Sequence, residues 1–468
     1  MRPLFLLALA LLVSFQAYAV PPSKKTLPIG LAPHEIGLRA ERQSATAPPP
    51  GEIRSLPEWE EADAVMTLWT NPSLIRELGK RGKVKLIADG QSEVSWWKEF
   101  LTDNKIPAEN YSFLVVPTDS MWIRDYGPWF ILDGNRTFSI VDNNYNRPRP
   151  QDDVVPAFLA KNLGVPFYHT GLTHTGGNYY NDGAQSAFSS TLVYRENGSL
   201  SSDKVNERMK QFLGIARYTT SPLGVKATIE HIDTFGKLVS PDTWVFAEFA
   251  TTSRFYNDAE NMVAKLKTLK SAYGTPYKIF RLKMWNKGGS ENYRAYLNSF
   301  ISNGALYFPK YGNETDPGDQ YAQELYAQAL PGYDIVGVDA LDTSWGDSVH
   351  CRNRNLLKKD TIFLFPEIVS SGPLGYGPFT LSLEVVLPSG TKLMEPPQIS
   401  WSWKGTAMGL IPFSLTEKNG IYQAVIPEQS GEGQLEFFIT AKDDAGRVKT
   451  APLLGSDHPV MVSVPIGF

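Results

Sequence analysis

An amphipathic segment that stops at glycine or asparagine, followed by a short β-rich run, recurs every 50–60 residues through most of this chain. The stop residues are Asn104, Gly164, Gly214, Gly274 and Gly332. Both residue types accept the left-handed backbone that ends a helix. Before Gly214, the residues Val205, Met209, Phe212 and Leu213 fall on one helical face, and Met262, Val263, Leu266 and Leu269 do the same before Gly274. The accompanying strands are predicted at 84–87, 113–116, 244–249, 306–308 and 335–338. Five units, each mixing a helix with short strands, predict an α/β fold with five-fold pseudo-symmetry over 51–368.

The texture changes around 367–378, where Ser370-Ser371-Gly372-Pro373-Leu374-Gly375 reads as a linker. Beyond it the pattern alternates. Leu381, Leu383 and Val385 share one strand face, Ile399, Trp401 and Trp403 another, and runs at 421–426, 435–440 and 460–464 follow, with Asp443-Asp444-Ala445-Gly446 as a turn. This spacing predicts an immunoglobulin-like β-sandwich over 376–468 without the disulfide. At the other end, Arg2, the apolar run 4–15 and Ala17-Tyr18-Ala19 have the three parts of an export signal over 1–19. The proline-bearing stretch 20–50 reads as a lead-in packed on something else. No later run approaches the roughly 20 apolar residues that cross a bilayer. The expected location is therefore periplasmic, cell-surface or secreted.

A net charge of −4 with no long single-sign run argues against a nucleic-acid surface, which needs clustered Lys and Arg. Cys351 is the single cysteine. Exported proteins that use cysteines for stability pair them, so a lone thiol is either a small buried apolar group or a reactive one. Its neighbours, Gly346-Asp347-Ser348-Val349-His350-Cys351-Arg352-Asn353, are polar and charged, which favours reactivity. If the chain is extended at His231-Ile232-Asp233, the outer two side chains share a face. There a His beside a carboxylate can serve as general acid and base. A structural ion pair and two metal ligands are the alternatives, and no other His or Cys lies at ligand-like spacing, so no metal is expected. His350 is expected to turn away from the thiol.

Met121-Trp122-Ile123-Arg124-Asp125-Tyr126-Gly127-Pro128-Trp129-Phe130 sets a carboxylate among rings, which suits a flat cation, or is a turn with surface charges. Asn146-Arg147-Pro148-Arg149-Pro150 presents two guanidiniums to clamp a carboxylate, or is a solvated basic loop. Thr175-Gly176-Gly177-Asn178 and Asn298 are cleft candidates. Two carboxylates, a His and one Cys are what hydrolysis of a guanidinium requires: the carboxylates hold the cation, the thiolate attacks its carbon, and the His moves protons.

Together these segments resemble the guanidino-group-modifying enzymes of the pentein fold, most closely the Porphyromonas-type peptidylarginine deiminases, with agmatine deiminases as near relatives. The resemblance rests on Trp122 to Tyr126, Tyr145 to Pro150, Thr175 to Tyr179, His231-x-Asp233 and His350-Cys351-Arg352, and runs from about Pro57 through the C-terminal sandwich. It implies a five-bladed α/β propeller with Cys351 as nucleophile, His231 as acid and base, Asp125 and Asp233 as the guanidinium-binding pair, and Asn298 in the site. Trp122 resembles a wall of the arginine channel, Arg147 and Arg149 the pair that reads the α-carboxylate of a C-terminal arginine, and Asn178 a further substrate-site residue. Thr228 stands where the nearest family pattern has a tyrosine that helps bind that carboxylate. No cofactor is implied, and the bacterial type needs no calcium. The implied partners are peptides or proteins bearing arginine, converted to citrulline with release of ammonia. Agmatine deimination, amidino transfer and a non-catalytic surface-binding role are the alternatives. Agmatine lacks a carboxylate, which would leave Arg147 and Arg149 without a partner. Cysteine-peptidase chemistry would need a base held near the thiol and an oxyanion hole, and no such signature is present.

Overall fold

Five small sheets lie between Arg54 and Leu357, and four of them are built by the same sequence of steps. An antiparallel hairpin comes first, a helix follows, and a third strand returns parallel to the second. In the structure, a computed structural model, the hairpins are Trp129–Leu132 with Phe138–Asn144, Tyr180–Asn181 with Ser186–Ser190, Gly236–Ser240 with Thr243–Glu248, and Phe300–Ser302 with Ala305–Lys310. The returning strands are Phe167–Thr173, Arg217–Ser221, Lys278–Lys283 and Asp334–Asp339. The remaining sheet joins the two ends of this region: Asn353–Leu357 pairs antiparallel with Ala62–Thr67, which continues in parallel to Lys83–Ala88 and Tyr111–Val115. The structure describes residues 27–464 except 39, 41, 226, 228, 288–291, 314, 341 and 371–376. The export signal expected at 1–19 and the candidate Thr228 lie outside the described residues.

The helices form where the apolar period predicts them. Helix Ser202–Leu213 is capped by the Ser201 side chain and closed by Gly214 at φ 71°. It buries Val205, Met209, Phe212 and Leu213 against Ile53, Val141, Leu172 and Ala187. Each such side chain contributes about 1.5–3 kcal/mol on burial. Gly164 likewise ends Val155–Leu163 in the left-handed conformation. The other three stops differ from the sequence reading. Helix Gln91–Asp103 ends at Asn104 with φ −87°, and Lys105 takes the positive φ instead. Gly274 and Gly332 are left-handed but follow helices already capped by Thr268 and Leu330.

After Leu357 the pairing changes to wholly antiparallel. Phe363–Ser370 pairs with Phe379–Val386, so the expected linker at 367 begins inside a strand. Its eight-residue partner carries the ladder past the apolar run. Ile421–Ile426 and Ser414–Leu415 complete that sheet, while Gln398–Trp403, Thr406–Pro412, Gly433–Lys442, Val448–Ala451 and Val460–Val464 form a second. Their facing sides share one core containing Leu381, Leu383, Ile399, Phe437, Ile439 and Val462. The ion pairs Arg54–Glu384 (2.6 Å) and Lys449–Glu60 (3.2 Å) tie this part to the five-sheet part. Among the described residues, no helix is long and apolar enough to cross a membrane.

Gly214 is constrained twice. Its φ is positive, and a Cβ there would lie 2.0 Å from the Ile53 carbonyl oxygen, a backbone atom. Gly214→Ala should therefore destabilise the protein by about 2–4 kcal/mol, read as a lowered melting temperature. A melting temperature within a degree of wild type would refute this account of the turn.

Candidate active site

Each of the five sheets is entered through a tight turn, and each turn delivers a buried polar side chain to one place. Asp125 sits in the helical turn Ile123–Tyr126 before Trp129–Leu132, and Asn178 in Gly176–Asn178 before Tyr180–Asn181. His231 and Asp233 flank the start of Ile232–Thr234 before Gly236–Ser240. Asn298 precedes Phe300–Ser302, and Cys351 precedes Asn353–Leu357. All six are buried. Turn backbones need hydrogen-bond partners that no ladder supplies, and two amides provide them. Asn298 Oδ1 accepts the N–H groups of Ser348 (3.0 Å), His350 (3.0 Å) and Cys351 (3.2 Å). Asn178 Oδ1 accepts those of Ser190 (2.8 Å) and Ile232 (3.2 Å).

Gly177 marks where these groups converge. A Cβ on it would lie 2.7 Å from Asp125 Oδ1, 2.7 Å from His231 Nδ1 and 3.0 Å from Asp233 Oδ2. The absence of a side chain at 177 thus leaves two carboxylates and an imidazole facing one another. Asp125 Oδ2, Asp233 Oδ1 and His231 Nδ1 are buried without a hydrogen-bond partner. Buried polar atoms are rarely left so, and three together call for a ligand rich in donors. The thiol stands beside them: Asn298 Nδ2 donates to Cys351 Sγ at 3.1 Å, and Sγ lies 3.7 Å from Asp233 Oδ2.

Burial sets the protonation of the group. It pushes Asp125 up to about 6, and Asp233 well above the usual carboxylate range with help from the Asp125 charge. It also raises the Cys351 thiol, and Asp233, Asp125 and Asp347 add to that, so the resting group is a thiol. Burial and the Arg147 charge lower His231 to about 3, so its ring is neutral. Thr175 Oγ1 lies 3.1 Å from its Nε2, and Asp125 Oδ1 lies 3.6 Å from its Nδ1.

Behind the site lies Glu58. Its carboxylate pairs with Lys237, with Arg124 at 2.7 Å and with His350 Nε2 at 2.9 Å, and accepts the Ile301 N–H at 2.9 Å. Burial alone would raise its pKa, but the surrounding cations hold it well below the ordinary range. The other nitrogen of His350, Nδ1, is 2.7 Å from Asp233 Oδ2. A neutral imidazole donates from one nitrogen only. Both contacts are satisfied when Asp233 keeps its proton, donating it to Nδ1, while Nε2–H donates to Glu58. The lowered pKa of His350, caused first by burial, agrees with a neutral ring.

The expected cluster of Cys351, His231, Asp233, Asp125 and Asn298 is therefore brought together, with differences in detail. His231 and Asp233 converge through a turn, not a strand face, and the carboxylate nearest His231 is Asp125. His350 does turn from the thiol, onto Asp233 and Glu58. Trp122 is buried in the apolar cluster that contains Cys351. Asn178 holds the backbone of neighbouring turns. Arg147 is half-buried, and its charge reaches His231 and Asp125. Arg149 differs most from expectation. It is buried and pairs through two nitrogens with Glu35, at 2.8 and 3.1 Å. Glu58 and Lys237 carried no local signal, because their partners are distant in sequence. The Gly-Gly pair at 176–177 was the one visible clue.

Gly177→Ala would place a methyl group within 3.0 Å of Asp125 Oδ1, His231 Nδ1 and Asp233 Oδ2. Turnover at this site should fall at least about a hundredfold, with a melting shift of only a few degrees. Retained activity would show that this point lies off the substrate path.

Comparison with known proteins gives the arrangement a context. A Legionella pneumophila protein with the provisional name agmatine deiminase is 24% identical over 266 residues, covering 53% of this chain and 76% of that protein. Among solved structures, one from Porphyromonas gingivalis, provisionally named an arginine deiminase, matches with a TM-score of 0.55 and 21% identity over 65% of this chain and 98% of that one. The agmatine deiminase of Enterococcus faecalis matches with a TM-score of 0.58 and 19% identity over 69% and 100%. These likenesses establish an α/β fold of the kind seen in solved deiminases. Residues 54–356 match the profile of the Porphyromonas-type peptidyl-arginine deiminases. That span is more than half of the chain and contains every residue of the cluster, so the protein belongs to this deiminase family.

Proposed function

We propose that this chain is an exported peptidylarginine deiminase that hydrolyses the guanidinium of peptide arginine, preferentially at a C-terminus, to citrulline and ammonia. The observation that carries the reading is the set of partnerless buried atoms, Asp125 Oδ2, Asp233 Oδ1 and His231 Nδ1, beside the Cys351 thiol. A guanidinium supplies five N–H donors in one plane and a positive charge. It can satisfy both carboxylates and offset the repulsion that keeps the thiol protonated. His231, neutral at rest, takes the thiol proton. The thiolate forms a C–S bond to the guanidinium carbon, and the C–N bond to one terminal nitrogen breaks as that nitrogen receives the proton and leaves as ammonia. Water then gives a proton to His231 and adds to the thiouronium carbon. As the C–S bond breaks, the hydroxyl proton passes to the sulfur to restore the thiol, His231 releases its proton to the departing ammonia or solvent, and citrulline departs.

In the same reading the five sheets are the blades of a pentein propeller, and the two antiparallel sheets after Leu357 form an immunoglobulin-like sandwich. The catalytic region then spans about 51–357, and the sandwich runs from the strand Phe363–Ser370 onward. Export rests on the leader-like residues 1–19. Arg147, within electrostatic reach of the site, supports recognition of a substrate carboxylate. A second reading, deimination of agmatine, is favoured by the Arg149–Glu35 pair, which already occupies one of the two expected carboxylate ligands, and by the names of the relatives.

Ammonia release from four substrates separates these readings: a peptide ending in arginine, its C-terminal amide, a peptide with internal arginine, and agmatine. The free-carboxylate peptide should be preferred by tenfold or more, and Cys351→Ala should lose at least about a thousandfold. Turnover of agmatine alone would move the protein to the small-molecule branch. Acid should act through Asp125. With its pKa near 6, the carboxyl is protonated below that value and no longer draws a cation. kcat/KM should therefore fall about tenfold per pH unit on the acid side. A flat profile from about pH 5 to 8 would remove Asp125 from cation binding.

A further inference from the structure

We infer that the N-terminal segment 28–35 is a built-in competitor for the substrate carboxylate: Glu35 stands on Arg149 where the α-carboxylate of a C-terminal arginine would, and gives way when such a substrate binds. This rests on the peptide-arginine reading above.

One short stretch of chain covers three of the side chains expected to meet the substrate, Trp122, Arg147 and Arg149. Trp122 Nε1 donates to the Pro28 carbonyl at 3.2 Å, and Arg147 Nε to that of Ile29 at 3.2 Å. Arg149 Nη2 donates to the carbonyls of Pro28 at 2.8 Å and Gly30 at 2.9 Å. Its Nε and Nη2 reach the two oxygens of Glu35, the two-pronged geometry with which arginine takes a carboxylate of any origin. Ile29 is buried in the apolar cluster that also contains Trp122, Ile229 and Cys351.

The segment's grip is of a kind that a substrate can replace. Its turn is self-contained: Glu35 N–H bonds to Ala32 O, Leu38 N–H to Glu35 O, and Ala32 N–H to Glu35 Oε2 at 2.6 Å. Among the described residues, no strand pairing joins 28–38 to the rest of the protein. Leu31 is 46%, Ile36 70% and Leu38 60% exposed. Among the described residues, the attachment is made through two guanidiniums, one indole and the buried apolar side chains of Ile29 and Ala32. An incoming arginine with a free carboxylate offers Arg149 the same two oxygens, whereas an amide does not.

Hydrogen exchange on the full mature chain carrying Cys351→Ala, which binds without turnover, tests this directly. Saturation with a peptide ending in free arginine should speed exchange at 32–38 by tenfold or more, and the amidated peptide should leave it unchanged. Unchanged protection with the free peptide bound, or equal loss with both, would overturn the inference. In the otherwise wild-type chain, Glu35→Gln should lower KM for the free peptide about tenfold and that for the amide less than twofold. Ile29→Asp, which loosens the segment without touching Glu35, should act in the same direction. An unchanged KM in both variants would also overturn it. Turnover of agmatine alone by every variant would instead remove the peptide reading itself, a result distinct from peptide turnover with an unmoved segment.

Discussion

The carboxylate of Glu58 is the interaction on which the site depends. It follows the edge strand Arg54–Ser55 and meets groups from elements far apart in sequence: Arg124 before one hairpin, Lys237 in a second, the Ile301 N–H in a third, and His350 before the strand that joins the two ends of the five-sheet region. Lys237 also lies over the Tyr180 ring at 5.2 Å, and Arg124 over Phe300 at 5.6 Å. Burying charges is costly unless each is paired and hydrogen-bonded. Here two cations and a neutral imidazole share one anion, and the arrangement is satisfied only when the sheets take their places. Burial still lowers Lys237 to about 8.

The reactive groups inherit their character from that setting. His350 is held between Glu58 and Asp233, so the proton state of Asp233 is coupled to a carboxylate behind the site. Dryness raises Asp125, Asp233 and the thiol together. Without a cation, the cluster is a set of neutral or frustrated acids beside an unreactive sulfur. A cation relieves both carboxylates and favours the thiolate by the same Coulomb attraction. Such a site discriminates by charge as well as shape, because a neutral ligand leaves its carboxylates uncompensated.

Much of this was legible in the chain because local chemistry announced it. A lone cysteine in polar surroundings, an Asp between aromatic residues and a His two positions from an Asp each carry a short-range pattern, and their convergence is a tertiary consequence of a repeated unit. Helix Ser202–Leu213 followed its apolar period because four side chains at helical spacing have one way to be buried together. The helix stops were less reliable. Lys105 took the left-handed position expected near Asn104, because Asn104 turns its side-chain amide onto the Phe100 carbonyl at 2.8 Å. The linker expected from 367 begins as strand because its partner is long enough to extend the ladder.

Residue types and their spacing determined the alternation of helix and strand, the change to wholly antiparallel texture near the C-terminus, and the identity of the polar residues available for chemistry. These are properties of a few neighbouring side chains, and short-range physics decides them. Only the tertiary structure decided that Glu58 anchors the site from 292 residues before His350, that Gly177 leaves room where two carboxylates and an imidazole meet, and that Arg149 is paired with Glu35. Each depends on which distant groups become neighbours once water is excluded, and burial then gives those contacts their strength.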